Sequence, residues 1–408
     1  MSVSIERRRE VATIPLLGAI AFANAFGAVI VFPLAPFLAA DLGVPLADVA
    51  LASMCFAGAA GAGGFIGSLF LGRLDRRRAI LALLGGFGAA TLLAAVAPTF
   101  AWLLAARLIG GLFAGPLLAI VFSMAAEAVP ADRRARAASV IVGSYGLALL
   151  LGLPATIAFV ALEEGWRGSL IALAGLAFTL MAPAAIILPR SSDFELRAYG
   201  AAFHDLYRVL ARPESLTGLA LIAGASFATL LISPHIATFA LKNAHVGEAG
   251  LMMAYLIGGG LALYSTRSVG WVMDRVGALP ASIGVGATLT LLLLLAFVAP
   301  IPRALTPPLL GLVLAAQLAR STVAQASAVR IARPGDRVAY QCLAAACTSL
   351  FQAAGAGCST LILSEQGDGR LTGIEWLAAL SILLCWIAPA LVMLLEKQMA
   401  ARQNLCKK

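Results

Sequence analysis

Apolar residues come in long runs along this chain, separated by short polar breaks. Twelve runs stand out, in round limits 12–40, 48–71, 79–98, 99–126, 137–162, 168–189, 216–241, 249–269, 279–299, 306–329, 338–363 and 374–395. Most reach the ~20 residues that a helix needs to cross a bilayer. Alternating segments of about ten residues, the mark of membrane β-strands, are absent from the sequence. The pattern therefore predicts an all-α membrane protein with twelve transmembrane helices. The first run is longer than the apolar core of a signal peptide, and no small-residue cleavage site follows it, so it reads as a retained span.

The longest break, Pro189 to Ser215, falls between runs six and seven. It carries Leu196, Tyr199, Phe203, Leu206 and Leu210 at helical spacing, which predicts an amphipathic helix lying on the membrane face. It divides the chain into a first six-helix bundle (1–189), a linker (190–215) and a second six-helix bundle with a short tail (216–408). The halves repeat each other. Pro33 matches Pro234, "GRLDRRR" matches "GWVMDRVG", and "PADRR" matches "PGDRV". Pro33 to Asp75 is 42 positions and Pro234 to Asp274 is 40, while Asp75 to Asp132 is 57 and Asp274 to Asp336 is 62. Repeated bundles of this kind are how secondary transporters build alternating access around a midplane site.

Composition agrees and adds an orientation. Of 408 residues 61% are hydrophobic and 12% charged, against about 25% charged in soluble chains, so the chain cannot cover a water-facing surface. Twelve spans put both termini on one side, and that side collects 23 of the 29 lysines and arginines; Arg167, Lys242, Arg303 and Arg370 fall on the other. The positive-inside rule places both termini in the cytoplasm, which in a bacterial cell means the inner membrane. The net charge of +9 is thus topology and marks no nucleic-acid partner. The six cysteines are scattered, five in spans and Cys406 in the tail. No metal site, disulfide or cofactor is expected, and the protein is read as a monomer.

Several short motifs carry a resemblance. "GWVMDRVG" has Gly270, Asp274, Arg275 and Gly277 in the pattern G-x-x-x-D-R-x-G, and Asp75 and Arg76 form a shortened copy in the first half, where the glycine after the Asp-Arg pair is missing. "RLIGGLFAG" spaces Arg107, Gly111 and Gly115 four apart on span four. "GSYGLALLLGLP", Gly143 to Pro154, precedes "GWR", Gly165 to Arg167. On these residues, over nearly its whole length, the chain resembles the major facilitator superfamily, and within it the drug and sugar or nucleoside efflux branch. The antiporter pattern ends Gly-Pro-x-x-Gly-Gly, whereas this chain reads "GLPATIAF". The resemblance implies gating by Asp75, Arg76, Gly270, Asp274, Arg275 and Gly277, a carboxylate facing a helix terminus or a neighbouring arginine.

The resemblance also implies a central cavity lined by spans one, four, seven and ten. The polar residues on those spans are Asn24, Arg107, Ser226, Thr229, His235, Gln317, Arg320, Ser321 and Gln325. Arg320 lies mid-span, where a charge in lipid costs at least ~2.5–3.5 kcal/mol. Gln317, Arg320, Ser321 and Gln325 share one face of span ten, so Arg320 is expected to line the cavity. Two in-span cations and no in-span carboxylate favour an anionic or hydrogen-bonding substrate over a cationic drug. Proton coupling would then fall to His235 or to Glu127 at a span end. The expected function is secondary active export of a small molecule, by proton antiport. The alternative is uptake of a small organic anion. A receptor on the same frame would call for a soluble appendage, and the chain shows none beyond its central linker. No P-loop, catalytic triad or metal cluster suggests an enzyme.

Overall fold

The computed structural model describes residues 2–70, 75–130, 133–161, 165–189, 207–331, 337–366 and 369–406. Twelve helical stretches are long and apolar enough to cross a membrane. Span 1 is two helices, Ser2–Val29 and Val31–Leu42. Span 2 is Ala50–Phe70, span 3 Arg76–Ala95 and span 4 Phe100–Glu127. Span 5 runs through Arg134–Leu147, a π turn at Ala148–Gly152, and Leu153–Phe159; span 6 is Gly165–Ile187. In the second half span 7 runs from Pro213–Ile232 through shorter turns to Phe239–Asn243. Span 8 is Glu248–Val276, span 9 Ala278–Phe297, span 10 Thr306–Val329, span 11 Arg337–Ile362 and span 12 Ile374–Cys406.

Spans 1 and 7 break at matching places, and proline is the reason. Pro33 has no N–H to give the carbonyl of Val29, where the first helix of span 1 stops. Pro234 does the same in span 7, and the chain takes a single 3₁₀ turn over Ser233–His235. Elsewhere the close packing is made by small residues, as in lipid it must be. Gly111 and Gly115 of span 4 lie against span 2 so tightly that an added Cβ would come within 2.3 Å of the Phe56 carbonyl oxygen and 2.0 Å of the Ala60 carbonyl oxygen.

The packing order is the same in both halves. Span 2 packs on 4, 3 on 4 and 6, and 1 on 4, 5 and 6; correspondingly 8 packs on 10, 9 on 10 and 12, and 7 on 10, 11 and 12. This is the pseudo-symmetry that the repeated landmarks imply. The bundles meet chiefly where span 2 packs on 11, span 5 on 8, and the broken second part of span 1 on the turn of span 7. Met54 meets Gly357, Gly58 meets Ala353, and Gly61 meets Ser349 and Leu350. The side of the molecule that carries the termini is called the terminal side below, and the opposite one the distal side.

One element was not expected. Between spans 11 and 12, Ser364–Glu365 pairs antiparallel with Leu371–Thr372 in a two-stranded hairpin. It is held to the end of span 7 by Asn243, whose amide donates to the Leu371 carbonyl (2.8 Å) and accepts from the Leu371 N–H (3.0 Å). Residues 190–206, which carry most of the predicted amphipathic linker helix, and the repeat landmarks Asp132 and Asp336 lie outside the described residues.

Candidate functional site

The two in-span arginines do not point where the sequence suggests. Arg107 sits on span 4, one turn before Gly111. Its Nη1 donates to the Gly27 carbonyl beside the span-1 break (2.7 Å), its Nε to the Ala52 carbonyl (3.4 Å), and its guanidinium lies 4.2 Å from the centre of the Phe56 ring. Its Nη2 is buried with no partner among the described residues. Asn24 likewise spends its amide on the Ala114 carbonyl of span 4 (2.8 Å). Both residues therefore tie spans 1, 2 and 4 together.

Arg320 is turned into the second bundle. Nη1 donates to Ser381 Oγ (3.4 Å) and Cys385 Sγ (3.3 Å) of span 12. Nη2 donates to the Ala225 carbonyl (3.2 Å) and Thr229 Oγ1 (3.3 Å) of span 7, and to Gln317 Oε1 (3.3 Å). A cavity of about 10 Å³ beside it, lined also by Leu221, Ser282 and Gly286, has room for about one water. The expected direction of Arg320 toward the central space is thus corrected. The physical reason is that guanidinium N–H donors in a low-dielectric interior need acceptors; spans 7 and 12, with Gln317, supply them to Nη1 and Nη2, while Nε is buried without a partner among the described residues. A shared polar face on a helical wheel hides this, because Gln317 and Arg320 lie on one edge of that face and Ser321 and Gln325 on the other.

His235 is also taken up by its own bundle. Ser359 Oγ lies 2.7 Å from its Nε2 and 2.7 Å from the Ala356 carbonyl. The hydroxyl has one proton to give, so it donates to the carbonyl and the imidazole donates to it. The side chain is 1% exposed, which takes His235 out of the cavity lining and leaves it no open route for a proton. Ser226 is buried on span 7.

Two of the expected residues are not buried: Ser321 is half-buried and Gln325 exposed. Ser321 meets Thr229 Oγ1 (3.3 Å), and Gln325 lies one turn further along span 10. Span 8 covers this face over the distal half of span 10, at Pro307, Gly311 and Leu314; the terminal half carries Ser321 and Gln325.

Span 11 adds a set that the sequence reading missed. It touches span 2 through Ala346, Ser349, Ala353 and Gly357, and span 7 through Tyr340, Cys347, Gly355 and Ser359. These two contact rows leave two open arcs on the helix. One carries Ala354 and Leu361, with Leu350 at its border with the span-2 row, and is apolar. The other carries Gln341, Ala345, Thr348 and Gln352, none of them buried. The apolar arc suits lipid and the polar arc suits water. The polar arc is thus a candidate lining for the space between the bundles. The signal was present in the sequence as polar residues seven and four apart, on a span outside the four that the resemblance assigns to the cavity.

At the terminal side the loop residues are also redistributed. Asp75 caps the start of span 3, accepting from the backbone N–H groups of Arg77 (2.9 Å) and Arg78 (3.3 Å). Its expected partner Arg76 pairs instead with Glu127 at the end of span 4, and Glu127 also accepts from Ser123 Oγ (3.3 Å). Arg275 stacks on Trp271 at 3.8 Å from its own helix, while Asp274 is exposed and has no ion pair among the described residues. Gly270 meets nothing within 4 Å of an added Cβ. Gly277 has φ +92° at the junction of spans 8 and 9, a backbone that only glycine adopts without strain.

Comparison with known proteins places this architecture. Residues 17–319 match the family model described as Major Facilitator Superfamily. The chain is 24% identical over 246 residues to a chloramphenicol resistance protein of Streptomyces lividans, an alignment covering 59% of this chain and 62% of that one. It is 29% identical over 231 residues to a chloramphenicol efflux pump of Mycobacterium tuberculosis, covering 54% of each. The chain thus spans between half and two thirds of the length of these curated relatives. Among solved structures, a bacterial homologue of the human lysosomal transporter Spinster superposes with TM-score 0.72 at 15% identity, over 96% of this chain and 97% of that one. The nucleoside transporter NupG gives 0.70 at 12% identity, over 94% and 99%. With a family match over most of its length and this twelve-span fold, the chain belongs to the Major Facilitator Superfamily, whose members are membrane transporters and not enzymes.

Proposed function

We propose that this protein exports a small, uncharged, hydrogen-bonding molecule from the cytoplasm by alternating access. What supports the reading is which polar residues are engaged within a bundle and which stay unburied. Both in-span arginines are engaged by their own bundles, and the open faces present hydroxyls and amides: Ser321, Gln325, Gln341, Thr348 and Gln352. Such a lining binds neutral polar solutes, and it removes the charge argument for an anion. The direction rests on two supports. The terminal side carries most of the lysines and arginines and is taken as cytoplasmic, and two relatives named above are chloramphenicol resistance and efflux proteins.

Export is driven by proton entry in this reading. Among the described residues no Asp or Glu lies in the apolar middle of a span; those within the helix limits, Asp41, Glu127, Asp274 and Glu396 among them, stand toward the ends, so in this reading the proton passes through a carboxylate toward a span end. Glu127 is the candidate, held at the terminal mouth by Arg76. The test uses everted membrane vesicles with an imposed proton gradient and radiolabelled chloramphenicol as the first probe. Accumulation that collapses with a protonophore supports the reading, and Glu127→Gln should keep counterflow while losing accumulation. Uptake into right-side-out vesicles, with none into everted ones, would reverse the direction.

A further inference from the structure

The distal ends of spans 7 and 9, the 9–10 loop and the hairpin line an open pocket of about 360 Å³. Its floor is apolar, with Phe239 and Phe297 edge to face at 4.9 Å and Ala296 beside them. Its rim is cationic or donating: Arg303, Arg370, His245 and Asn243. Arg303 and Arg370 are two of the four basic residues that the sequence assigns to the distal side. The side with few cations therefore gathers two of them round one cavity. No carboxylate lines it among the described residues.

Two further observations show a built site. Arg370 Nη2 lies 3.0 Å from His245 Nε2. A guanidinium can only donate, so the imidazole is neutral there and carries its proton on Nδ1, a further donor. His245 is also the sole non-glycine residue with a positive φ (51°) among those described. Strained backbone of this kind persists only where the surroundings hold it, and it clusters at binding sites. The span-10 helix begins at Thr306, which lines the pocket, and the partial positive charge of a helix N-terminus adds to the same field.

We infer that this pocket is a second binding site, on the distal face, for an anionic head carried on an apolar body. Arg303 holds the head by charge-assisted hydrogen bonds and the phenylalanines take the body. The head is a carboxylate or phosphate, and its source is either an anionic membrane lipid or a free aromatic acid. The volume admits a head and a few carbons, within the range of ordinary ligand sites.

The experiment titrates purified full-length protein in neutral detergent with lysophosphatidylglycerol, lysophosphatidylcholine, benzoate and inorganic phosphate, reading thermal midpoint and Kd. Arg303→Ala and Arg303→Lys are compared with Arg167→Ala, a distal arginine of the other bundle. The expected result is binding of at least one anionic probe, weakened about tenfold by Arg303→Ala, largely restored by Arg303→Lys and unaffected by Arg167→Ala. Response to lysophosphatidylglycerol alone assigns the site to lipid; response to benzoate or phosphate assigns it to a free anion. Arg303 is exposed on a short loop turn, so size-exclusion profiles of the variants should match wild type. Equal binding of the two lysolipids, loss of binding in Arg167→Ala to the same degree, or no Arg303-dependent binding of any anion overturns the inference.

Discussion

Arg320 shows how a charge survives in the interior of a greasy bundle. It is 4% exposed, and its terminal nitrogens reach three side-chain oxygens or sulfurs and a carbonyl on spans 7 and 12, besides Gln317. The residue braces span 10 against spans 7 and 12. Arg320→Lys keeps the charge and loses the fork, so several acceptors stay buried without a donor. We expect the thermal midpoint to fall, with a cost of about 1–3 kcal/mol for the groups left unsatisfied, while the folded fraction transports with an unchanged KM. A raised KM with an unchanged midpoint would return Arg320 to the substrate path. Asp41 makes a gentler case at the distal surface. The bond from Arg167 (2.5 Å), and after it the bond from the Trp166 indole N–H (3.0 Å), hold its carboxyl below the ordinary range. A depressed folded-state pKa contributes stability above the unfolded value of ~3.9, and that stability is lost as pH falls through the lower folded value. The pair is nearly half exposed, so the contribution is under about 1 kcal/mol. The midpoint difference between wild type and Asp41→Asn should be constant near neutrality and shrink below pH ~4; a difference that persists at pH 3 would remove the pair from the account.

Elements, unlike side-chain directions, were legible from pattern. All twelve spans follow from run length, because a bilayer admits few alternatives to a continuous apolar helix. The breaks at Pro33 and Pro234 are readable because proline removes one hydrogen bond wherever it stands. The Ser364–Thr372 hairpin was not readable: two residues per strand leave no period. Nor was the division of span 10 into a bracing edge and an open edge, since it depends on what spans 7 and 12 offer to Arg320. Span 11 is the instructive omission. Its polar arc becomes visible only when its two contact rows are known, although Gln341, Thr348 and Gln352 repeat at helical spacing. Gln341 and Gln352 are expected to bind substrate through their amides. Replacing both with leucine should raise KM about 10-fold, on the scale of one or two lost hydrogen bonds of ~1 kcal/mol each, with the midpoint unchanged or higher. Replacing Leu361, on the apolar arc, with alanine should leave KM as it was. Transport kinetics in proteoliposomes separate the two arcs, and equal effects from both would erase the distinction.

At the scale of the whole molecule, the distal side is where the bundles are tied in this state. The second part of span 1 packs on the span-7 turn, and nearby a hydrogen bond crosses from one half to the other. Glu365, on the hairpin of the second half, accepts from the backbone N–H of Leu46 at 2.9 Å. Leu46 is buried in the turn between spans 1 and 2, whereas Glu365 is exposed. For the substrate path to open on the distal side, these two must part. The bond therefore belongs to one state only, and a group that stabilises one of two states shifts their ratio by its own net strength. An exposed charge-assisted bond of about 1 kcal/mol shifts the ratio about fivefold. Glu365→Ala should move the population toward the distal-open form by that factor; Glu365→Gln keeps an acceptor oxygen and should move it less. Spin labels at Val96 and Val298, exposed at the distal ends of spans 3 and 9, report the separation of the two bundles directly. The longer-distance population should grow in the order wild type, Glu365→Gln, Glu365→Ala. An unchanged distribution in Glu365→Ala would show that the span 1–span 7 contact closes the distal side unaided.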